Sequence, residues 1–202
     1  MKKIFYLFFA LFLTVMVIGL LPVHSEAELY ENVLRLHVIA NSDSDEDQAL
    51  KLKVRDRILA EVETLVADCE SFEDAETVLS KEENLALLTA AAESAVRAEG
   101  FDYPISISLG EERYPKKSYE SLCFPSGVYT SLQVKIGESG GQNWWCVLFP
   151  QLCLSAASKS ENEDKFISAG FTPEQYKIVT DNDEGQYEVR FKILEIIQNI
   201  GK

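Results

Sequence analysis

Histidine is almost absent from this chain. There are two, His24 and His37, and that scarcity removes most imidazole chemistry at the outset. A serine or cysteine triad needs an imidazole base, so any such triad must draw on one of them. Zinc is disfavoured on related grounds. No CxxC pair occurs, and a closed tetrahedral site would have to recruit the four scattered cysteines Cys69, Cys123, Cys146 and Cys153. Basic residues are also few, 19 Lys and Arg against 33 Asp and Glu, for a formal net charge of −14. A chain of that sign repels nucleic acid and anionic lipid, and neither is expected as a partner. There is no internal repeat. No helix follows Gly140-Gly141 to cradle a phosphate, so that pair reads as a hairpin tip. No metal and no small-molecule cofactor is expected.

What is present begins with an export signal. Lys2 and Lys3 precede an uncharged apolar run from Ile4 to Leu21, then Pro22 and the small residues Ser25 and Ala27. That is the order of a signal peptide, residues 1–27, cleaved after Ala27. An uncleaved membrane anchor is the alternative, since the run lies at the lower limit for spanning a bilayer. No cysteine follows closely enough for lipoprotein anchoring. Losing Lys2, Lys3 and Glu26 takes the formal charge from −14 to −15 and leaves His37 as the only imidazole. Export also makes oxidised cysteines plausible. Four cysteines allow three full pairings. A Cys146–Cys153 bridge is preferred because Pro150 turns the chain between them, and four free thiols are the alternative.

Periodicity organises the rest. Leu34, Leu36 and Val38 alternate with Val33, Arg35, His37 and Ile39, which predicts a strand over Val33–Ala40. Asp43 with Glu46, or Ser44 with Asp47, has capping-box spacing. The helix it opens, to about Asp68, carries Leu50, Val54, Ile58, Val62 and Leu65, with Lys51, Lys53, Arg55 and Arg57 clustered near its start. Ser71 with Asp74 starts a second, short helix. Ser80 with Glu83 starts a third, with Leu85, Leu88, Ala92 and Ala95 inward and Gly100 as its stop. Strands follow at Ile105–Leu109 and Val128–Ile136, separated by a polar, proline-containing loop. Gly137–Gln142 reads as a flexible turn that returns the apolar run Trp144–Phe149 as the antiparallel partner of Val128–Ile136. Ser155–Lys165 reads as a polar linker. Beyond it, Pro173–Val179 suits a short helix, and Tyr187–Ile200 a helix or an extended strand. The expectation is a single mixed α/β (α+β) domain in two layers, ordered β-ααα-βββ with an antiparallel hairpin, plus a helical C-terminal appendage. In residue numbers, the domain spans 28–154, the linker 155–165 and the extension 166–202.

The chemistry-bearing candidates are thin. Asp43, Asp45 and Asp47 are spaced like the first ligands of a calcium loop. Gln48 and Val54 stand where the loop needs Gly and Glu, so helix capping is the better reading. His37 shares a strand face with Arg35, a poor setting for a base that must become protonated, and reads as a partly exposed residue beneath or beside the helices. Trp144 and Trp145 must point to opposite faces. The continuous apolar run favours the core for both, and an open face would make one of them an anchor for a partner.

Two blocks carry a resemblance. One is Leu34-Arg35-Leu36-His37-Val38-Ile39-Ala40-Asn41-Ser42-Asp43-Ser44 with Asp47-Gln48 and Leu52-Lys53-Val54-Arg55-Asp56. The other is Phe124-Pro125-Ser126-Gly127-Val128-Tyr129 through Asn143-Trp144-Trp145-Cys146-Val147-Leu148-Phe149-Pro150 to Leu152-Cys153. Together they resemble the stage II sporulation protein R family of endospore-forming Firmicutes over most of residues 30–154. The resemblance implies a secreted signalling protein, not an enzyme, in the space between forespore and mother cell. There it would activate a membrane-embedded aspartic protease, stage II sporulation protein GA, which processes the precursor of the mother-cell sigma factor E. A secreted hydrolase, or a cell-envelope binding module, is the alternative. The expected contact residues are Arg35, His37, Asn41, Ser42, Asp43 and Asp45, with Trp144 or Trp145 as anchor.

Overall fold

A computed structural model describes residues 2–19, 32–119, 122–150, 164, 166–169 and 171–180. The chain divides into two units, with helix α1 (Lys2–Gly19) in the first and all other described elements in the second. Among the described residues no helix is long and apolar enough to cross a membrane.

The second unit opens with strand β1 (Leu34–Ile39) and three helices, α2 (Asp45–Leu65), α3 (Phe72–Ser80) and α4 (Glu82–Ala98). Local chemistry sets each start. Ser44 accepts a hydrogen bond from the Asp47 backbone N–H at 3.2 Å, and Asp45, Glu46 and Asp47 fill the first turn of α2, where the helix dipole favours negative charge. Ser71 caps α3 through the Asp74 N–H at 3.1 Å. The expected Ser80 cap of α4 does not form. Lys81 occupies that position without a side-chain cap, because the Ser80 hydroxyl donates back to the Thr77 carbonyl at 3.1 Å. Gly100, at φ 86°, ends α4.

Strands β2 (Ile105–Tyr114), β3 (Lys117–Tyr119), β4 (Leu122–Phe124), β5 (Gly127–Ile136) and β6 (Asn143–Phe149) follow, then helix α5 (Pro173–Thr180). The mixed α/β class and the opening β-ααα order agree with the sequence, but five strands follow where three were expected, and the pairing differs. The sheet order is β2-β5-β1-β6, with β1 parallel to β5 and antiparallel to β6. The expected β5–β6 hairpin is therefore absent, because β1 lies between the two strands. The connection Gly137–Gln142 must cross the end of β1, and it does so in backbone contact with it. Gly140 and Gly141 donate to the carbonyls of Asn41 and Ala40, both at 3.0 Å, and the Ala40 N–H reaches Gln142 O at 3.4 Å. A Cβ on Gly141 would overlap the Ser42 carbonyl. One on Gly137, which sits at φ 56°, would overlap the Asn41 side chain. The supposed flexible turn is a fitted crossing.

Leu34, Leu36 and Val38 pack on the helix side with Leu50, Val54, Ile58, Leu88, Leu132 and Val134. The other sheet face carries a third layer, which replaces the expected two-layer plan. The β3–β4 hairpin stands where the polar loop was expected. With Phe166, Phe171 and α5 it buries Val33, Tyr114, Tyr129 and Val147 in a second, aromatic-rich core. Phe166, Phe171 and α5 are thus part of the domain and not an appendage. Thr172 and Gln175 form a reciprocal capping box, at 3.2 Å and 2.7 Å, and Pro173 suits the first helical position. The linker region 155–163 and Tyr187–Ile200 lie outside the described residues.

The crossing supplies a test. Gly141→Ala should lower stability by about 1–3 kcal/mol, the usual cost of overpacking a site that cannot give, whereas Gly110→Ala, whose Cβ would meet nothing within 4 Å, should change it little. Chemical denaturation of both variants measures the contrast. Equal effects would mean that the crossing tolerates a side chain.

Candidate partner-binding site

The residues expected to meet a partner separate into two groups once the register is known. Across the face opposite the helices, one row of the sheet reads Ser108–Gln133–His37–Trp145 and the next Gly110–Ser131–Arg35–Val147. The β3–β4 layer covers the second row. Arg35 is fully buried, which removes it as a contact residue. Its Nε donates to the Cys146 carbonyl at 3.1 Å and its Nη2 to the Tyr119 hydroxyl at 2.8 Å, while Nη1 is buried without a hydrogen-bond acceptor. The guanidinium carbon lies 4.4 Å from the Tyr114 ring centroid, 5.0 Å from Tyr129, 5.1 Å from Phe124 and 5.8 Å from Tyr119. Aromatic faces take the place of a carboxylate there. Burial pushes the Tyr119 hydroxyl's pKa up, although Arg35 opposes the rise.

His37 is also withdrawn from the surface, at 6 % exposure, on the face away from the helices instead of beneath them. Nδ1 lies 2.7 Å from Glu112 Oε1 and Nε2 lies 2.8 Å from Asn143 Oδ1, with the ring stacked on Trp145 at 5.4 Å. A general base needs one nitrogen facing its proton donor. Both are engaged here. Ser131, next to this network, is fully buried and bonded to Tyr114 and Glu112 at 2.7 and 3.0 Å, so it presents no nucleophile to solvent. Trp145 takes the core reading, half-buried between His37 and Lys117, whose Nζ lies 4.1 Å from the Trp145 ring centroid.

Asn41, Ser42, Asp43 and Asp45 lie at the other end of β1, where it turns into α2, and Trp144 stands on β6 opposite Val38. Asn41 and Ser42 are only half-exposed and act inward. Their side chains donate to Asp47 Oδ2 at 2.8 and 2.6 Å, and Asn41 Oδ1 also accepts from the Glu138 N–H at 2.9 Å. Lys51, itself buried, ties α2 to the crossing by donating to Gln142 O at 3.0 Å, also donates to Gln48 Oε1 of its own helix at 2.6 Å, and burial pulls its pKa down. In open α/β sheets ligands favour the crevice beyond the carboxyl ends of parallel strands. Here Gly137–Gln142 fills that place above β1. What remains exposed is Asp43, Asp45 and Trp144, the last at 37 % exposure with the Arg55 guanidinium 4.3 Å from its ring centroid. Trp144 faces the helix side, but its position on edge strand β6 keeps it from being covered. This end is the candidate contact surface, without Arg35, His37 and Trp145.

Sequence reasoning missed Glu112, Tyr114, Tyr119 and Tyr129, whose roles come from long-range placement and leave no local signal. Asp43, Asp45 and Asp47 do not act together as a calcium loop would require, because the Asp47 carboxylate turns inward. Among the described residues the free thiols are Cys69 and Cys123, and burial pushes the Cys69 thiol pKa up. Cys146 is not among them. Cys153 lies outside the described residues.

Fold and site together describe a mixed α/β domain whose most distinctive polar residues brace its own sheet. The family model for stage II sporulation protein R (spore_II_R) matches residues 30–159. Stage II sporulation protein R of Bacillus subtilis (strain 168) is 34 % identical over 185 residues, covering 84 % of this chain and 82 % of that protein. No solved structure matches. The chain belongs to the stage II sporulation protein R family, and its role lies in sporulation.

Asp47 gives a pH test. Burial opposes its charge, but hydrogen bonds from Ser42, Asn41 and Tyr103 and the Ser42 backbone outweigh this and hold its pKa below the ordinary 3.8. A depressed folded-state pKa means stability that is present above the unfolded value and lost as pH falls through the folded one. Asp47→Asn should therefore cost about 1 kcal/mol at neutral pH, and the difference from the parent should shrink as pH falls below 3.8. Denaturation midpoints at both pH values decide the point. A gap that stays constant would show that the charge is not what matters.

Proposed function

We propose that this chain is exported from the forespore into the space between forespore and mother cell and acts there as a signal. It binds the membrane-embedded aspartic protease, stage II sporulation protein GA, and favours its active state, so that the precursor of sigma factor E is processed. The family match over residues 30–159 carries this reading. The apolar run behind Lys2 and Lys3 supports export. Activation by binding requires only a difference in affinity between two states of the partner, and no bond is made or broken by this chain. The engaged nitrogens of His37 and the buried Ser131 support that role over a secreted hydrolase.

The contact surface is the exposed end with Asp43, Asp45 and Trp144, and Trp144 is its aromatic anchor. In cells co-expressing the protease, the precursor and an exported variant, Trp144→Ala should raise the half-saturating dose by about tenfold or more, as loss of a hot spot does, and excess protein should restore processing. Circular dichroism first confirms that the variant folds. A folded Trp144→Ala that signals at the parental dose removes the anchor. A folded His37→Gln that fails even at excess returns the lead to a hydrolase.

The same compartment supports a Cys146–Cys153 disulfide, with Cys69 and Cys123 remaining free thiols. Non-reducing peptide mapping of the exported protein should recover the 146–153 pair. Cys146 joined to Cys69 or Cys123, or found as a thiol, is the result against it.

A further inference from the structure

Strand β2 forms one edge of the sheet. It pairs with β5 in unbroken register from Ile105↔Ile136 to Tyr114↔Gly127, and among the described residues its other edge has no partner strand. An open edge presents a row of backbone donors and acceptors to any extended chain. Proteins usually blunt such edges with lysine, proline, a bulge or a covering element. Ile105–Gly110 has no charge and no proline, and its register does not shift. Ser106, Ser108 and Gly110 on the face away from the helices are small and exposed, so nothing bulky stands over this stretch.

On the helix side, the same edge adjoins a cavity of about 410 Å³ at Leu109–Glu111. Leu85 of α4 and Leu109 supply its apolar surface, and Thr77 and Thr130 supply hydroxyls. Glu76 of α3 and Glu111 of β2 bring two carboxylates to its wall, and neither belongs to an ion pair among the described residues. An apolar surface beneath two unpaired carboxylates suits a long aliphatic stem with a cationic head. A second copy of this chain is a poor occupant, because each copy carries a formal charge of −14.

We propose that the β2 edge and this cavity form a docking groove for an extended segment of a partner protein. The segment adds as a fifth strand and places a lysine or arginine side chain between Glu76 and Glu111. Backbone hydrogen bonds supply the pairing, and the cavity selects the basic side chain, as in other strand-addition complexes. The proposal rests on the strand edge and its cavity, and is separate from the identity of the membrane protein that the domain activates.

The full chain, labelled with nitrogen-15, is titrated with an end-blocked heptapeptide of alternating threonine and valine with arginine at its centre. The expected result is amide shifts and slowed exchange along Ile105–Arg113, with binding roughly tenfold weaker when glutamate replaces the arginine. Combined Glu76→Gln and Glu111→Gln substitution should erase the preference between the two peptides, and a backbone N-methylated arginine peptide should not bind. Equal binding of both peptides to the unaltered chain overturns the proposal, as do shifts confined to another surface. Shifts at β2 that grow with protein concentration alone would identify a second copy as the occupant, and also overturn it.

Discussion

A buried cation without a buried anion shapes this domain. Arg35 points from the central strand into the face away from the helices and is removed from water. Desolvating a charge is costly unless something takes the place of its hydration shell. Here four aromatic rings surround the guanidinium, and Cys146 O and the Tyr119 hydroxyl accept two of its hydrogen bonds. Cation–π contacts reach about 2 kcal/mol when desolvated, so several together offset much of the cost. The rings come from β2, β5 and the β3–β4 hairpin, which is why the third layer closes over this half of the sheet. Tyr119 extends the arrangement by donating onward to the Trp145 carbonyl at 3.0 Å. The layer cannot lift away without exposing the cation.

The helix-side end of the sheet depends on a different constraint. Because β1 is inserted between β5 and β6, their connection has to pass over the exit of β1. Asn41 and Lys51 hold it there, through the Glu138 N–H and Gln142 O, and Ser42, Asp47 and Gln48 brace those two side chains. The polar residues of this junction are therefore largely internal braces. Their exposed neighbours are Asp43, Asp45 and Trp144. A residue can be distinctive because the fold needs it, and burial is what separates that case from recognition.

This division explains why the contact set read from sequence needed correction. Arg35 and His37 stand in an alternating strand beside a polar loop, a pattern that also suits a half-exposed edge. Nothing local announces that a hairpin drawn from residues 117–124 covers the far face, or that Glu112 and Asn143 clamp the imidazole from two other strands. Burial of a polar residue depends on partners distant in sequence, and hydrophobic alternation does not record them.

What the sequence determined by itself was the identity of the elements. The alternation over Val33–Ala40, the caps at Ser44 and Ser71, the helical spacing of Leu50, Val54, Ile58 and Val62, and the Gly100 stop are local effects, acting over one or two turns or a few strand residues. They survive into the structure for that reason. Only the tertiary structure decided which strands pair. A glycine-rich turn between two apolar strands of opposite direction looks the same whether the strands are neighbours or flank a third. The choice rests on burying β1 on both faces and both edges, and on glycines at 137 and 141 that let the crossing chain touch its backbone. That burial is a property of the whole sheet, so no window of sequence contains it.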